Sequence, residues 1–166
     1  MSFLSSIEAK ITDWEQAAGR VAAWRSEGLC IVFTNGCFDI LHLGHLRYLA
    51  QARDLGDRLV VGLNAESSVR RLKGPGRPIH DEPTRLLQMA SLAFVDLVVG
   101  FDQDTPYELI HHLLPDVLVK GGDYSAAQIV GAELVLARGG RVETLPFVNG
   151  YSTTTIEQKI LRDSKR

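Results

Sequence analysis

Thr34-Asn35-Gly36-Cys37-Phe38-Asp39-Ile40-Leu41-His42-Leu43-Gly44-His45 holds the residues best suited to chemistry, with two imidazoles three positions apart just beyond a glycine turn. Leu29 to Thr34 is a short apolar run that suits a buried strand, and Gly44 to Leu55 carries Leu46, Leu49, Ala50 and Ala52 at helical spacing. His42 and His45 then flank the first turn of a helix and share one side of it. The unpaired amides of that turn, and the positive end of the helix dipole, favour an anion there. Gly44 removes a side chain where a phosphate needs close approach. So short a motif also allows a plainer reading, two polar residues at a helix start.

Further candidates cluster downstream. Lys73 and Arg77, in Arg71-Leu72-Lys73-Gly74-Pro75-Gly76-Arg77-Pro78, offer an ammonium and a guanidinium on a loop that can close over phosphates; solvated charge is the alternative. Lys120-Gly121-Gly122-Asp123 puts a cation, two permissive backbones and a carboxylate at a strand end, which suits a phosphosugar or a simple turn. Ser152-Thr153-Thr154 precedes Ile156, Ile160 and Leu161, so its hydroxyls and amides open a last helix as a cap or a second anion cradle. Asn64 follows a second strand. Asp39 reads as a support, by capping, by orienting an imidazole or by holding a metal-bound water. Arg85 and His80 are possible phosphate contacts, Arg70 and Arg71 exposed helix charges, and His111 and His112 boundary residues of a helix.

Both Gly-x-x-x-x-Gly-Lys-Ser/Thr and Gly-x-Gly-x-x-Gly are absent, which disfavours a P-loop kinase and a dinucleotide oxidoreductase. Transfer at an α-phosphorus is the better reading: a substrate phosphate attacks in line, pyrophosphate leaves, and the protein positions anions and neutralises developing charge. Such attack needs no covalent relay, so Cys37 is not assigned as a nucleophile. A triphosphate would favour protonated His42 and His45. No carboxylate or His/Cys set has metal-ligand spacing, so Mg²⁺ is expected to arrive with ATP.

Asn35 to His45 resembles the first signature of the cytidylyltransferase-like nucleotidyltransferases. The Arg71 to Pro78, Val119 to Tyr124 and Gly150 to Thr154 segments are similar, in order and spacing, to the branch that adenylylates D-glycero-β-D-manno-heptose 1-phosphate. The resemblance covers roughly Leu29 to Ile160. It implies ATP and a sugar 1-phosphate as substrates, with His42, His45 and Lys73 catalytic. It places Thr34, Asn35, Gly36, Cys37, Phe38, Gly44, Ser152, Thr153 and Thr154 at the nucleotide. Asp39, Asn64, Arg77, Lys120, Gly121, Gly122 and Asp123 are expected at the acceptor, and a homodimer is implied. The chain departs from the glycerol-phosphate cytidylyltransferase pattern, having Phe147-Val148-Asn149 where that pattern has an Arg before Ser-Thr-Thr. Transfer from CTP to a polyol phosphate, and a nucleotide-binding module without turnover, are the alternatives.

These residues need a frame to hold them. Apolar strand candidates run at Leu29 to Thr34, Arg58 to Asn64, Leu97 to Gly100, Val117 to Lys120 and Val142 to Leu145, with helical patterns between. That alternation predicts an α/β, Rossmann-like fold, a central parallel sheet with helices on both faces. Ligands then sit beyond the carboxyl ends of the strands. Thr12-Asp13-Trp14-Glu15 reads as a capping box before a helix ending near Gly28, and Gly56 and Gly139 read as helix stops. The loop from Lys73 to Asp81 is the expected mobile segment.

At 166 residues and 45% hydrophobic, the chain suits one domain, residues 1–28 leading into a catalytic core over 29–160, without room for a second catalytic unit. A net charge of -2 gives no broad basic face for nucleic acid. The start has no cationic n-region, and no apolar run approaches about 18 residues, so a cytoplasmic protein without membrane contact is expected. Cys30 and Cys37 lack the spacing of a disulfide scaffold or a zinc site.

Overall fold

The computed structural model describes residues 2–122, 125 and 128–163. Its frame is a six-stranded sheet, all parallel, in the order β1-β4-β3-β2-β5-β6. The strands are β1 (Ile11–Thr12), β2 (Ile31–Gly36), β3 (Arg58–Asn64), β4 (Leu97–Phe101), β5 (Val117–Gly121) and β6 (Arg141–Leu145). From β2 the chain winds outward through β3 to β4, then returns and continues on the other side through β5 and β6. Strand order therefore reverses between β2 and β5, where such sheets open a crevice at their carboxyl ends.

Side chains alternate across the sheet. Ile31, Phe33, Val60 and Leu118 join Ala17 and Val21 of α2 (Trp14–Ser26), Leu109 and Ile110 of α6 (Tyr107–Leu113), and Val135 of α7 (Ala132–Leu136). Val32, Leu59, Val61 and Val119 face the other way, against Leu49 and Ala52 of α3 (Leu43–Arg53) and Met89 and Ala90 of α5 (Glu82–Ala90). Helices thus cover both faces as the strand–helix alternation predicts. In addition, α4 (Glu66–Lys73) follows β3, and α8 (Thr153–Asp163) closes the described chain with no fully buried residue.

The start of the chain differs from the sequence expectation. A short α1 (Phe3–Glu8) and the two-residue β1 precede α2, and the cap of α2 is Asp13, whose carboxylate accepts from the Gln16 amide at 2.8 Å. Thr12 is instead the end of β1, paired with Val99. The first long strand starts at Ile31 rather than Leu29. Gly139, at φ +79°, ends the α7 region as expected, whereas Gly56 serves close packing: a Cβ there would lie 2.8 Å from the Cys30 carbonyl oxygen.

Candidate active site

His42 is the N-cap of α3. The His45 amide donates to its Nδ1 at 3.4 Å, and the two rings stack with centroids 3.8 Å apart. An Nδ1 that accepts leaves the proton of a neutral imidazole on Nε2, which is free to donate. Gly44 makes the stack possible, since a Cβ would stand 3.0 Å from the His42 ring. Phe38, buried and at φ +44°, meets the His45 ring edge-on at 5.4 Å and braces it from behind. Burial lowers the basicity of both imidazoles; for His45, burial acts with the charges of His42 and Lys73, against the Ile40 backbone, to give a pKa of about 4. Without an anion the pair is therefore neutral at pH 7, and the protonated forms expected from sequence would need a bound phosphate to raise them.

A cavity of about 640 Å³ opens in front of this pair. Asn35, Gly36, Cys37 and Phe38 enter it from the end of β2, Lys120 and Gly121 from β5, and Lys73 from the end of α4. Its far wall is the Pro146 to Tyr151 segment with Ser152, Thr153 and Thr154 at the head of α8. Ser152 Oγ accepts from the Thr155 amide at 3.1 Å, so Ser152 caps α8 while Thr153 and Thr154 face the cavity. Two helix N-termini, α3 and α8, thus converge on one space with two lysines, an arrangement suited to a polyanion. Burial lowers the Lys120 ammonium below its ordinary range, with Cys37 opposing, and raises the Cys37 thiol against the pull of Lys73 and Arg85. A raised thiol agrees with a non-nucleophilic Cys37.

Several expected ligands are instead occupied elsewhere. Asp39 is 2% exposed, and its carboxylate accepts from the Ile79 and His80 amides and from Arg77 Nη1 at 2.9 Å. Burial alone would raise that carboxyl, but these donors outweigh it and hold it below its ordinary value. Asp39 therefore pins the loop after α4 to the histidine turn. Arg77 also pairs with Glu157 of α8, so its guanidinium joins two segments and is not free for phosphate in this conformation. His80 Nδ1 lies 2.8 Å from the Asp39 carbonyl oxygen. The loop expected to be mobile is thus tethered at 77, 79 and 80. Thr34 is fully buried against the Tyr48 hydroxyl at 2.6 Å, outside the cavity wall. Asn64 donates to Ser68 Oγ at 3.0 Å and lines a second, smaller cavity. Gly122 accompanies Lys120 and Gly121 at the β5 end, its amide donating to the Leu145 carbonyl, and Asp123 lies outside the described residues.

Two positioning roles escaped the sequence reading, which weighed Arg85 as a phosphate contact and did not single out Tyr48. Arg85 is 0% exposed and donates from Nη1 to the Cys37 and Asn64 carbonyls at 2.9 and 2.8 Å, and from Nε to the His80 carbonyl at 3.2 Å. It bolts the histidine turn, the end of β3 and the tethered loop together, and by capping carbonyls at the strand ends it removes negative dipoles from an anion site. Tyr48, one turn beyond His45, spans β2 and β5 through Thr34 and the Val119 carbonyl at 3.2 Å; burial pushes its phenol up to about 12, with the Thr34 bond opposing. Its place one turn along α3 from the motif was the available signal. His112 packs on Trp14 at 5.7 Å between α6 and α2, and Arg70 and Arg71 pair with surface carboxylates, as expected.

Among the described residues no cluster of three His, Cys, Asp or Glu side chains could hold a metal, and no helix is long and apolar enough to cross a membrane. The sequence matches the family described as cytidylyltransferase-like over residues 33–159. It is 55% identical over 151 residues to the bifunctional protein HldE of Magnetococcus marinus, an alignment covering 91% of this chain and 31% of that one. The HldE of Trichlorobacter lovleyi is 54% identical over 93% of this chain, so the chain spans about a third of these curated relatives, 31% in both cases. Among solved structures, a lipopolysaccharide core biosynthesis protein from Thermoplasma volcanium is similar at a TM-score of 0.58 and 32% identity, covering 75% of this chain and 100% of that one. A pantoate-beta-alanine ligase from Francisella tularensis, at 15% identity and a TM-score of 0.55, covers 94% of this chain and 79% of its own, and shares the fold.

Proposed function

Because the chain belongs to the cytidylyltransferase-like family, we propose that it is an adenylyltransferase that joins AMP from ATP to D-glycero-β-D-manno-heptose 1-phosphate. It releases pyrophosphate and serves the synthesis of heptose-containing glycans such as lipopolysaccharide. The observation that carries this reading is the stacked His42–His45 pair at the head of α3, facing the head of α8 across a cavity that also takes Lys73 and Lys120. ATP fits that space with its phosphates between the helix heads and its nucleoside toward the Phe147 to Tyr151 wall. Residues 29–160 act as the catalytic core of one domain, the enzyme works as a cytoplasmic homodimer, and neither nucleic acid nor membrane is a partner.

In this scheme the acceptor phosphate attacks the α-phosphorus in line, and the bond to the β-phosphate oxygen breaks. Negative charge grows on the leaving pyrophosphate and on the equatorial oxygens. His42 donates from Nε2, His45 follows as its basicity rises beside the phosphates, and Lys73 moves with the end of α4 to cover the leaving group. These donors already point into a partly desolvated space, so little reorganisation accompanies reaction. Mg²⁺ belongs to the proposal as an ion carried by ATP, where it would neutralise phosphate charge; Asp39 has no oxygen to spare for it, and no protein step depends on it.

Pyrophosphate release across a matrix of ATP and CTP with heptose 1-phosphate, other sugar 1-phosphates and glycerol 3-phosphate tests the reading. ATP with the heptose should dominate, with kcat/KM for ATP above that for CTP by about 10² or more, because a site hydrogen-bonded to one base leaves polar groups unpaired with another. Preference for CTP with a polyol phosphate would move the chain to the cytidylyl reading. Nucleotide binding without turnover on any acceptor would leave a binding module.

A further inference from the structure

The two helix heads that flank the larger cavity are held to the sheet in different ways. Leu49 and Ala52, both fully buried, fix α3, whereas α8 has no fully buried residue along its 11 residues. The distance from Thr153 and Thr154 to the histidines therefore depends on polar ties. A run of three charges crosses that gap. Asp39, three positions before His42, accepts from Arg77 Nη1 at 2.9 Å, and Arg77 Nη2 pairs with Glu157, one turn beyond Thr153 and Thr154. The relay is itself held firmly: the Arg77 side chain is 16% exposed, and the Ile79 and His80 amides lock the Asp39 carboxylate.

We propose that Glu157 is a positioning residue: through Arg77 and Asp39 it sets the distance between the heads of α3 and α8, and with it the fit of the cavity to a triphosphate. A guanidinium is a planar fork whose two ends can each take a carboxylate, so it transmits position where an ammonium would supply only charge. Both ends of Arg77 are in use and it lines neither cavity, which suits a brace rather than a ligand. Glu157 also stands outside the cavity lining, and a carboxylate makes no favourable contact with a polyanion. Its effect on ATP must then pass through the helix that carries it. The relay rests on the adenylyl-transfer reading for the identity of the polyanion but makes its own demand, that a residue outside the cavity controls nucleotide affinity. The sign of the effect separates this role from plain electrostatics. Removing a negative charge near an anion site tightens binding by Coulomb interaction alone, whereas loosening the brace weakens it.

Calorimetric titration with a non-hydrolysable ATP analogue at one fixed ionic strength provides the test, with pyrophosphate-release kinetics and thermal melting on the same proteins. Glu157→Gln should weaken analogue binding, and raise KM for ATP, by about five- to tenfold. Its melting temperature should stay within about 2 °C of wild type, because a partly exposed ion pair on a peripheral helix contributes little to the global fold. Arg77→Met should weaken the analogue at least as much, and adding Glu157→Gln to it should cause no further loss, since the two side chains act as one unit. Unchanged or tighter analogue binding in Glu157→Gln, full additivity in the double variant, or a melting temperature lowered by about 5 °C or more in Glu157→Gln would overturn the brace. Wild-type protein that binds the analogue and transfers to no sugar 1-phosphate would instead sink the adenylyl-transfer reading, while the titrations still decide the brace.

Discussion

At the residue scale, the proposed catalysis rests on two stacked imidazoles that are neutral until a phosphate binds. His42→Ala or His45→Ala should lower kcat by about 10² to 10⁴ with the fold retained, since donors aimed at transition-state charge are worth several kcal/mol; near-normal turnover would remove them from the mechanism. Stability should report the same pair. A base whose pKa falls on folding binds fewer protons in the native state than unfolded, so it stabilises fully above its unfolded pKa and loses that contribution as pH falls toward its folded one. For His45 the window runs from 6.5 down to about 4, and His42 shifts the same way. Asp39, Asp81 and Asp102 are depressed carboxylates that act below 3.8. Melting temperature should therefore drop by a few degrees between pH 7 and pH 5, on the order of 1 kcal/mol after allowing for solvent screening, and less in His45→Gln. An equal drop in the variant would assign the loss elsewhere. The sequence shows residue types and local spacing, so the histidines, Gly44 and the hydroxyls of α8 were legible. It does not show partners such as Asp39 with Arg77 or Arg85 with Cys37, which depend on contacts 38 and 48 residues apart.

At the element scale, runs of five to seven residues were readable as β3, β4 and β5 to within a residue or two, because parallel strands buried on both faces are mostly apolar, and the edge strand β6, with no buried residue, was placed as closely from Val142 and Leu145. β1 was not, since two residues carry no periodicity, and its place beside β4 follows only from the rest of the sheet. The tethered loop was also misjudged: Pro and Gly mark irregular backbone, which here is fixed by side chains from elsewhere. Arg85 is the strongest of those ties. Arg85→Met should leave buried carbonyls of Cys37, Asn64 and His80 unpaired at a cost of about 3–5 kcal/mol, lowering the melting temperature by about 10 °C. Differential scanning calorimetry settles it; a wild-type melting temperature with collapsed ATP affinity would make Arg85 a phosphate ligand rather than a bolt.

At the scale of the whole molecule, one sheet with one reversal of strand order concentrates its anion-handling groups in one place. The heads of α3 and α8, with Lys73 and Lys120, all face the larger cavity beside that reversal, and no P-loop occurs in the sequence to cradle a γ-phosphate for phosphoryl transfer. The curated relatives named bifunctional align with this chain over 31% of their length, so a second activity in them has most of their length to occupy. The proposed reading assigns nucleotidyl transfer to these 166 residues. Heptose 7-phosphate offers a free anomeric hydroxyl, and making it a bisphosphate requires attack by that hydroxyl on the γ-phosphorus with ADP as leaving group. The proposed reaction uses another bond, with the imidazoles stabilising charge at the α-phosphorus and pyrophosphate departing. Purified chain incubated with ATP and heptose 7-phosphate, followed by phosphorus NMR, should give neither ADP nor bisphosphate. Adding heptose 1-phosphate to the same tube should start pyrophosphate release at once. Formation of the bisphosphate by the pure chain would mean that the cavity also presents the γ-phosphorus to a hydroxyl, and the assignment of its helix heads would have to be redrawn.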